Sequence, residues 1–178
     1  MNKAVFFDRD GVINELVERL DGSHTAPWTV DEFRFKPNAG AAIASINHKF
    51  KTFVVTNQPD INDGNLKQSD LDIMSKMLTQ WLHIDEVVCS TERNSDFYKP
   101  NNGMIEHLIN KYNIDRNNSW LIGDRWKDIV AGHNSRIKTI FVGNVYTYPV
   151  EYRNIYPDYE CKDILDACKL IMKRDKND

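Results

Sequence analysis

Short apolar runs alternate along this chain with stretches in which apolar residues recur every three or four positions. The short runs predict buried strands, and the recurrence at three and four predicts amphipathic helices. Strands are predicted at residues 4–7, 52–56, 86–89, 119–122 and 138–142. Helices are predicted at residues 37–49, 71–82, 104–112, 126–134 and 160–173. This alternation is typical of a doubly wound, Rossmann-like α/β fold, in which helices cover both faces of a parallel sheet.

The composition is that of one globular domain. Of the 178 residues, 41% are hydrophobic and 28% are charged, which suffices for one full core. The sequence contains no internal repeat and no linker, so we predict a single domain over residues 1–178. Two longer pieces lack periodicity, residues 20–35 and 144–159. The second piece is rich in Tyr and Pro, and it either borders a binding site or packs as an ordinary surface loop.

The charge pattern disfavours nucleic acid as a partner. The formal net charge is −3, from 23 Lys and Arg against 26 Asp and Glu, and no basic stripe is visible. No apolar stretch approaches the roughly 18 residues that span a bilayer. The N-terminal apolar run stops at Asp8, too early for a secretory signal, so we expect a cytoplasmic protein without a membrane partner. The oligomeric state is not indicated.

Two carboxylates follow the first predicted strand directly. Asp8 and Asp10 stand two residues apart, and Gly11 allows the chain to turn away. In open α/β sheets, ligands bind beyond the carboxyl ends of the strands. One carboxylate can attack a substrate while the other handles a proton, and both can help to hold Mg²⁺. By itself the pattern is weak evidence, because Asp is common in turns.

Further polar residues follow other predicted strands or precede a helix. They are Thr56 and Asn57 after the second strand, Lys99 before a helix, and Asp124 with Asp128 after the fourth strand. Each has an ordinary explanation as a cap, a surface lysine or a turn. A doubly wound sheet brings them to one crevice with Asp8 and Asp10. Carboxylates for a metal, a nucleophile, and cationic and hydroxyl donors for phosphate oxygens together indicate phosphoryl transfer.

These segments resemble the four motifs of the haloacid dehalogenase (HAD) superfamily of phosphatases. The matching segments are Asp8-Arg9-Asp10-Gly11-Val12, Thr56-Asn57-Gln58, Lys99-Pro100 and Gly123-Asp124-Arg125-Trp126-Lys127-Asp128. The resemblance covers roughly residues 3–145. It is strongest to the branch that holds D,D-heptose 1,7-bisphosphate phosphatase and the histidinol-phosphate phosphatases. The residues that point to this branch are Arg9, Ile13-Asn14, Phe35 with Pro37, Gln58 and Gly103-Met104.

The resemblance implies a role for each acidic residue. Asp8 is expected to be the nucleophile that forms an aspartyl-phosphate, and Asp10 the general acid and then the general base. Mg²⁺ is expected to bind Asp8, the backbone carbonyl of Asp10, and Asp124. Asp128 is expected to support the site or orient Lys99 rather than to bind the metal directly.

The resemblance also implies how the substrate is held. Thr56, Asn57 and Lys99 are expected to grip the transferring phosphoryl group of a small-molecule phosphate ester. The candidates for contacts with the rest of the substrate are Arg9, Tyr98 and Arg125.

The chain departs from the branch at several positions. Members often carry a zinc loop before the lysine motif, but residues 89–98 contain only Cys89 as a possible ligand, so no zinc is predicted. Tyr98 stands where the heptose enzymes commonly have arginine, and Pro59-Asp60 replaces a Ser-Gly pair. These changes should weaken binding of a second phosphate, and Arg125 is a candidate to compensate. The insertions are too short for a cap domain.

Together these features predict a capless, Mg²⁺-dependent phosphomonoesterase. A sugar phosphate such as D-glycero-D-manno-heptose 1,7-bisphosphate is the expected substrate, and histidinol phosphate or another small phosphomonoester is the alternative. A phosphotransferase would present the same residues. A non-catalytic binding or scaffold protein is the alternative of another class; retention of Asp8, Asp10, Lys99 and Asp124 argues against it.

Overall fold

The computed structural model of the chain describes residues 1–143, 147 and 149–176. In chain order, the strands are β1 (Ala4–Phe7), β2 (Val17–Glu18), β3 (His24–Thr25), β4 (Lys51–Asn57), β5 (Glu86–Ser90), β6 (Trp120–Gly123), β7 (Lys138–Val142) and β8 (Tyr159–Cys161). The helices are α1 (Ala39–Ala44), α2 (Gln68–Trp81), α3 (Gly103–Tyr112), α4 (Trp126–Asn134) and α5 (Ile164–Arg174).

Six strands form one parallel sheet in the order β5-β4-β1-β6-β7-β8. The chain first builds outward from β1 through β4 to β5. It then returns to the other side of β1 and builds outward again through β6, β7 and β8. This reversal confirms the predicted doubly wound α/β fold. It also places the carboxyl ends of β4, β1 and β6 side by side, where such sheets bind their ligands.

Strand β1 is at the centre of both hydrophobic cores. All four of its residues are fully buried, because strands flank it on two sides and helices cover both faces of the sheet. Val5 and Phe7 face the core that α1, α2 and α5 cover, whereas Ala4 and Phe6 face the core beneath α3. The strand is therefore apolar throughout rather than alternating, and its end is a fixed point from which Asp8 begins.

The first and the last predicted helices differ most from the structure, while α2 begins three residues before its prediction and α3 one residue before. Helix α1 ends at Ala44 rather than at residue 49, and the Ser45 hydroxyl donates to the Ala42 carbonyl while tight turns follow. Ser and Asn side chains compete in this way with helical hydrogen bonds. The prediction that the last helix begins at residue 160 is wrong, because residues 159–161 form edge strand β8. Helix α5 begins after Asp163, whose carboxylate caps it by accepting from the Asp166 N–H.

The first long aperiodic segment is more ordered than its sequence suggested. Strands β2 and β3 form a small antiparallel hairpin, and a 3₁₀ turn at Val30–Glu32 follows it. Arg19 ties the two together, since its guanidinium binds the Glu32 carboxylate at 2.6 Å and stacks on Trp28. The insertion after β1 is thus a hairpin and a turn rather than a cap domain.

The Tyr-rich segment at residues 144–159 is described in part, since residues 144–146 and 148 lie outside the described residues. In the described part, Tyr152 stacks on Trp126 at 4.8 Å between ring centroids, and Tyr159 packs against Trp120. That the segment borders a binding site stays a prediction. Over the described residues, no helix is both long and apolar enough to cross a membrane.

The packing of α2 gives a direct test of the fold. Leu78 is fully buried on this helix, whereas Ile73 on the same helix is 45% exposed. We expect Leu78→Ala to lower the free energy of unfolding by about 2–5 kcal/mol, because it leaves a cavity in the core. Ile73→Ala should change it by no more than about 0.5 kcal/mol. Urea denaturation of both variants measures the difference, and equal effects would contradict this packing.

Candidate active site

A cleft of about 260 Å³ opens at the carboxyl ends of β1 and β4. Its lining combines acidic residues with cations. The acidic group includes Asp8, Asp10 and Asp128, and the cations are Lys99 together with Arg93, Arg125 and Lys127. The β2–β3 hairpin contributes His24 and Thr25 to one side. The structure therefore brings the predicted acidic residues and the predicted lysine to one place.

The Lys99 ammonium group lies buried between two carboxylates. It donates to Asp8 Oδ1 at 2.7 Å, to Asp128 Oδ1 at 2.6 Å and to the Val55 carbonyl at 2.8 Å, while its side chain is only 3% exposed. These bonds use all three donors of the ammonium group. The other oxygen of Asp128 accepts from the Arg125 N–H at the start of α4. Asp128 thus bonds Lys99 directly, and its expected role in support of the site stays a prediction.

Burial and crowding change the acidity of this cluster. Burial raises the pKa of Asp8 to about 6, although the Lys99 ammonium opposes the change. Burial, together with the neighbouring carboxylates of Asp8 and Asp128, raises the pKa of Asp124 to about 8. Burial by itself disfavours the charged form of Lys99, but Asp128 and Asp8 outweigh it and raise the pKa of Lys99 above its ordinary value. The lysine therefore stays protonated, whereas Asp8 and Asp124 hold their protons to higher pH than ordinary carboxyls do.

The residues present fit a divalent cation. Oxygen atoms of Asp8, Asp124 and Asp128 lie within 4.8 Å of one another. Asp124 Oδ1 is buried and has no hydrogen-bond partner among the described residues, as expected for an atom that binds an ion. Gly11 approaches with φ at +88°, and a Cβ atom there would overlap the Asp124 carboxylate. Because Asp128 already binds Lys99 and Arg125, Asp8 and Asp124 are the carboxylates available to a hard cation such as Mg²⁺.

The Asp10 carboxylate is held by donors from three side chains. Arg9 donates to it through Nε at 3.0 Å and Nη2 at 3.1 Å. Asn14 donates to Oδ1 at 3.0 Å, and Gln58 donates to Oδ2 at 2.6 Å. The carboxylate lines the cleft, although Asp10 is only 9% exposed. We call Arg9, Asn14 and Gln58 the Asp10 cage.

The predicted phosphate-binding residues at the end of β4, Thr56 and Asn57, occupy different environments. The Thr56 hydroxyl lines the cleft and accepts a hydrogen bond from Gln58 at 2.9 Å. The Asn57 amide is bonded at both ends to the backbone of Lys99, accepting from its N–H at 3.0 Å and donating to its carbonyl at 2.9 Å. Asn57 therefore positions the lysine segment, and its expected grip on the phosphoryl group stays a prediction.

The three residues expected to contact the rest of the substrate differ in position. Tyr98 and Arg125 line the cleft. Arg9 does not: its side chain is fully buried against Asp10 and its guanidinium lies 5.7 Å from the centroid of the Phe33 ring. The expected substrate contact of Arg9 is therefore corrected to a supporting role for Asp10, because a fully enclosed side chain cannot reach a ligand.

Some residues of the site had no role assigned from the sequence. In the sequence, Asn14 and Gln58 point only to the branch of the superfamily, and Lys127 is only a part of the fourth motif. Their functions depend on contacts between segments far apart in the chain, such as the bond from Gln58 to Asp10 across 48 residues. In the sequence, the feature that points to a role for Gln58 is its position directly after Thr56-Asn57.

The segment where zinc ligands were sought is held by an ion pair. Arg93 makes a bidentate contact with Asp63, with distances of 2.7 and 2.5 Å, and Asn62 donates to the Thr91 carbonyl. Cys89 itself lies within β5. The absence of zinc stays a prediction.

Comparisons with known proteins agree with this fold and site. The HAD-hydrolase-like family model matches residues 97–167. The chain is 34% identical over 157 residues to a D-glycero-alpha-D-manno-heptose-1,7-bisphosphate 7-phosphatase of Burkholderia mallei, covering 78% of each protein. It is 27% identical over 190 residues to a D-glycero-beta-D-manno-heptose-1,7-bisphosphate 7-phosphatase of Pasteurella multocida, covering 96% of this chain and 97% of that protein.

A solved structure shares the whole architecture. The D,D-heptose 1,7-bisphosphate phosphatase of B. bronchiseptica, complexed with magnesium and phosphate, superposes with a TM-score of 0.80 at 20% sequence identity. The superposition covers 97% of this chain and 99% of that one. The fold and the acidic cleft define a phosphatase of the HAD-like class. The chain belongs to the HAD-like hydrolase family that contains these heptose bisphosphate phosphatases.

We expect Mg²⁺ binding to be linked to proton release. The pKa of Asp124 is raised to about 8 and that of Asp8 to about 6, so at pH 6 Asp124 is largely protonated and Asp8 partly so. These protons must leave before a cation binds. The affinity for Mg²⁺ should therefore rise from pH 6 to pH 8 and level off above the pKa of Asp124. Titration calorimetry in two buffers of different ionisation enthalpy measures both the affinity and the protons released.

Two variants control this measurement. Asp124→Asn should abolish binding, whereas Asp21→Asn, which changes an exposed residue of the hairpin, should leave it unchanged. Binding of equal strength at pH 6 and pH 8, without proton release, would show that these carboxyls are not the ligands.

Proposed function

We propose that this protein is a Mg²⁺-dependent phosphomonoesterase that acts through an aspartyl-phosphate, with a heptose 1,7-bisphosphate as its substrate. The observation that carries the proposal is the buried arrangement of Lys99 between Asp8 and Asp128. The same cluster holds Asp124 Oδ1, which has no hydrogen-bond partner among the residues that the structure describes. This set combines a nucleophile, a fixed cation and a metal ligand within one cleft.

The residues divide the reaction into two displacements. Asp8 attacks the phosphorus atom, the bond to the leaving oxygen breaks, and Asp10 gives that oxygen its proton. A water molecule then attacks the phosphorus, Asp10 takes the water proton, and the bond between Asp8 and phosphorus breaks to release inorganic phosphate. Such a covalent route splits one very slow hydrolysis into two easier steps.

Two kinds of positive charge stabilise the phosphoryl oxygens in this proposal. The Lys99 ammonium is fixed beside Asp8 before substrate arrives, so it needs no reorganisation during the reaction. Asp8, Asp124 and the carbonyl of Asp10 would hold Mg²⁺, which supplies Lewis-acid stabilisation of the phosphoryl charge when bound. The Thr56 hydroxyl supplies a neutral donor.

Two cations in the cleft support a substrate with a second phosphate. Arg125 and Lys127 line the cleft, and neither forms an ion pair within residues 1–143, 147 and 149–176. The Lys127 ammonium lies 5.2 Å over the ring of Tyr98. Burial and the proximity of Arg125 lower the pKa of Lys127, so an incoming dianion would relieve this crowding. The heptose enzymes commonly have arginine at the position of Tyr98, and in this proposal Lys127, which packs on Tyr98, supplies that positive charge instead.

The same cations disfavour histidinol phosphate, whose free amine carries a positive charge. A purely binding role is disfavoured because the chain retains Asp8, Asp10, Lys99 and Asp124. Asp8 and Asp124 lie in the acidic cluster, Lys99 is bonded to Asp8, and Asp10 lines the same cleft. The single-domain organisation, the cytoplasmic location and the absence of a nucleic-acid partner stay predictions.

Phosphate release from a substrate panel tests the proposed function. We expect strong Mg²⁺-dependent turnover of one anomer of D-glycero-D-manno-heptose 1,7-bisphosphate and weak turnover of histidinol phosphate. Asp8→Asn should abolish activity, because the amide is a poor nucleophile. A 3′-phosphorylated oligonucleotide should not react. Turnover of histidinol phosphate above both heptose anomers would overturn the substrate assignment, and activity retained in Asp8→Asn would overturn the chemistry.

The second-phosphate contact can be tested separately. We expect Arg125→Met and Lys127→Met each to raise KM for the heptose bisphosphate by roughly tenfold, about 1.4 kcal/mol of binding. They should change KM for the heptose 7-monophosphate by less than about twofold, since that molecule lacks the second phosphate. Lys76→Met on α2, outside the cleft, is the matched control. Equal effects on both substrates would contradict a second-phosphate role.

A further inference from the structure

Gln58 is a fully buried amide that joins two parts of the site. It follows directly after β4, where its backbone N–H donates to the Ser90 carbonyl at 2.7 Å. Its side-chain nitrogen donates to Asp10 Oδ2 at 2.6 Å and to Thr56 Oγ1 at 2.9 Å. One amide group thus contacts both the expected proton donor and an expected phosphate-binding hydroxyl.

The bond to Thr56 fixes the direction in which this hydroxyl can donate. Because Thr56 Oγ1 accepts from Gln58, its own proton is free for a different acceptor. Thr56 lines the cleft, where a phosphate oxygen would be that acceptor.

The bond to Asp10 acts on a charge that appears during the reaction. When Asp10 gives its proton to the leaving oxygen, negative charge develops on its carboxylate. The Asp10 cage already directs N–H groups at both oxygens, so the charge develops where donors are in place. Arg9 and Asn14 belong to the same turn as Asp10, whereas Gln58 comes from the neighbouring strand and ties that turn to β4.

We propose that Gln58 is a positioning residue, which orients Asp10 for proton transfer to the leaving oxygen. The proposal rests on the proposed phosphatase function. Gln58 does not line the cleft, so it acts through its hydrogen bond to Asp10 rather than on the substrate. The proton passes from Asp10 to the leaving oxygen as the bond between that oxygen and phosphorus breaks.

Leaving-group dependence separates this role from a purely structural one. A sugar alkoxide needs a proton to depart, whereas 2,4-dinitrophenolate does not. Gln58→Met removes the amide while keeping an unbranched side chain of similar length. We expect it to lower kcat/KM for the sugar phosphate by roughly 10- to 100-fold, a part of the usual contribution of general acid catalysis. For 2,4-dinitrophenyl phosphate the loss in kcat/KM should stay below about threefold.

A burst of dinitrophenolate gives a second signature. Asp10 also serves as base in the second displacement, so Gln58→Met should slow hydrolysis of the covalent intermediate more than its formation. The variant should release about one dinitrophenolate per active site rapidly and then turn over slowly. In an Asp10→Asn background, Gln58→Met should add little further loss for the sugar phosphate, because both changes remove the same function.

Control variants and the two esters separate failure of the positioning role of Gln58 from failure of the proposed phosphatase function. Gln68→Met changes an exposed glutamine on α2 whose side chain donates to Asp72, and it should leave all rates unchanged. Gln58→Asn keeps an amide on a shorter side chain; it should show a smaller, equally selective loss and serves if Gln58→Met does not fold. Equal losses for both esters would overturn the positioning role while leaving the proposed function intact. A wild-type protein inactive on both esters would overturn the two together.

Discussion

The buried ammonium group of Lys99 is the interaction on which the rest of the site depends. Three carboxylates crowd into a small, largely dehydrated space, and this lysine is bonded to two of them. Removing one partner of a buried ion pair typically costs about 3–5 kcal/mol, because the other charge is left uncompensated. Lys99 therefore stabilises the geometry of the cluster before any ligand binds, and the remaining negative charge is left for a metal.

The sheet order explains why this arrangement is possible. Strand β1 lies between β4 and β6, so residues that follow these three strands meet although they are far apart in sequence. Asp8 follows β1, Asp124 follows β6, and the carbonyl of Val55 in β4 accepts from Lys99. The close approach of Gly11 to Asp124 requires both the positive φ and the missing side chain. The chemistry is thus fixed by backbone positions in the most deeply buried part of the fold.

The sequence was informative wherever a function depends on the position of a residue along its own element. Asp8, Asp10 and Asp124 follow strand ends, Lys99 precedes a helix, and Asp128 lies in the first turn of α4. The structure brings all five to the cleft or to the cluster of Asp8, Asp124 and Asp128. The alternation of strands and helices likewise predicted the doubly wound sheet. Edge strand β8 was missed because three residues beside a helical pattern carry little periodicity of their own.

Roles that depend on contacts between distant segments could not be predicted in the same way. Arg9 stands between two aspartates and was expected to face the substrate, but its long side chain turns back onto Asp10 beneath Phe33. Gln58 reaches Asp10 only because β1 and β4 pair in one register. The Lys127 ammonium lies 5.2 Å over the ring of Tyr98, although 29 positions separate the two residues. In each case the sequence shows the residue, and only the packing shows its partner.

The central claim is that Asp8 carries the phosphoryl group between the two displacements. A single-turnover reaction with Mg²⁺ and heptose bisphosphate, quenched with acid in milliseconds, followed by mass spectrometry of the peptide that contains Asp8, tests it directly. We expect a phosphoryl group on Asp8 that appears before free phosphate and decays as phosphate is released. Phosphate released at full rate with no covalent adduct on this peptide, or an adduct on another residue, would contradict the claim.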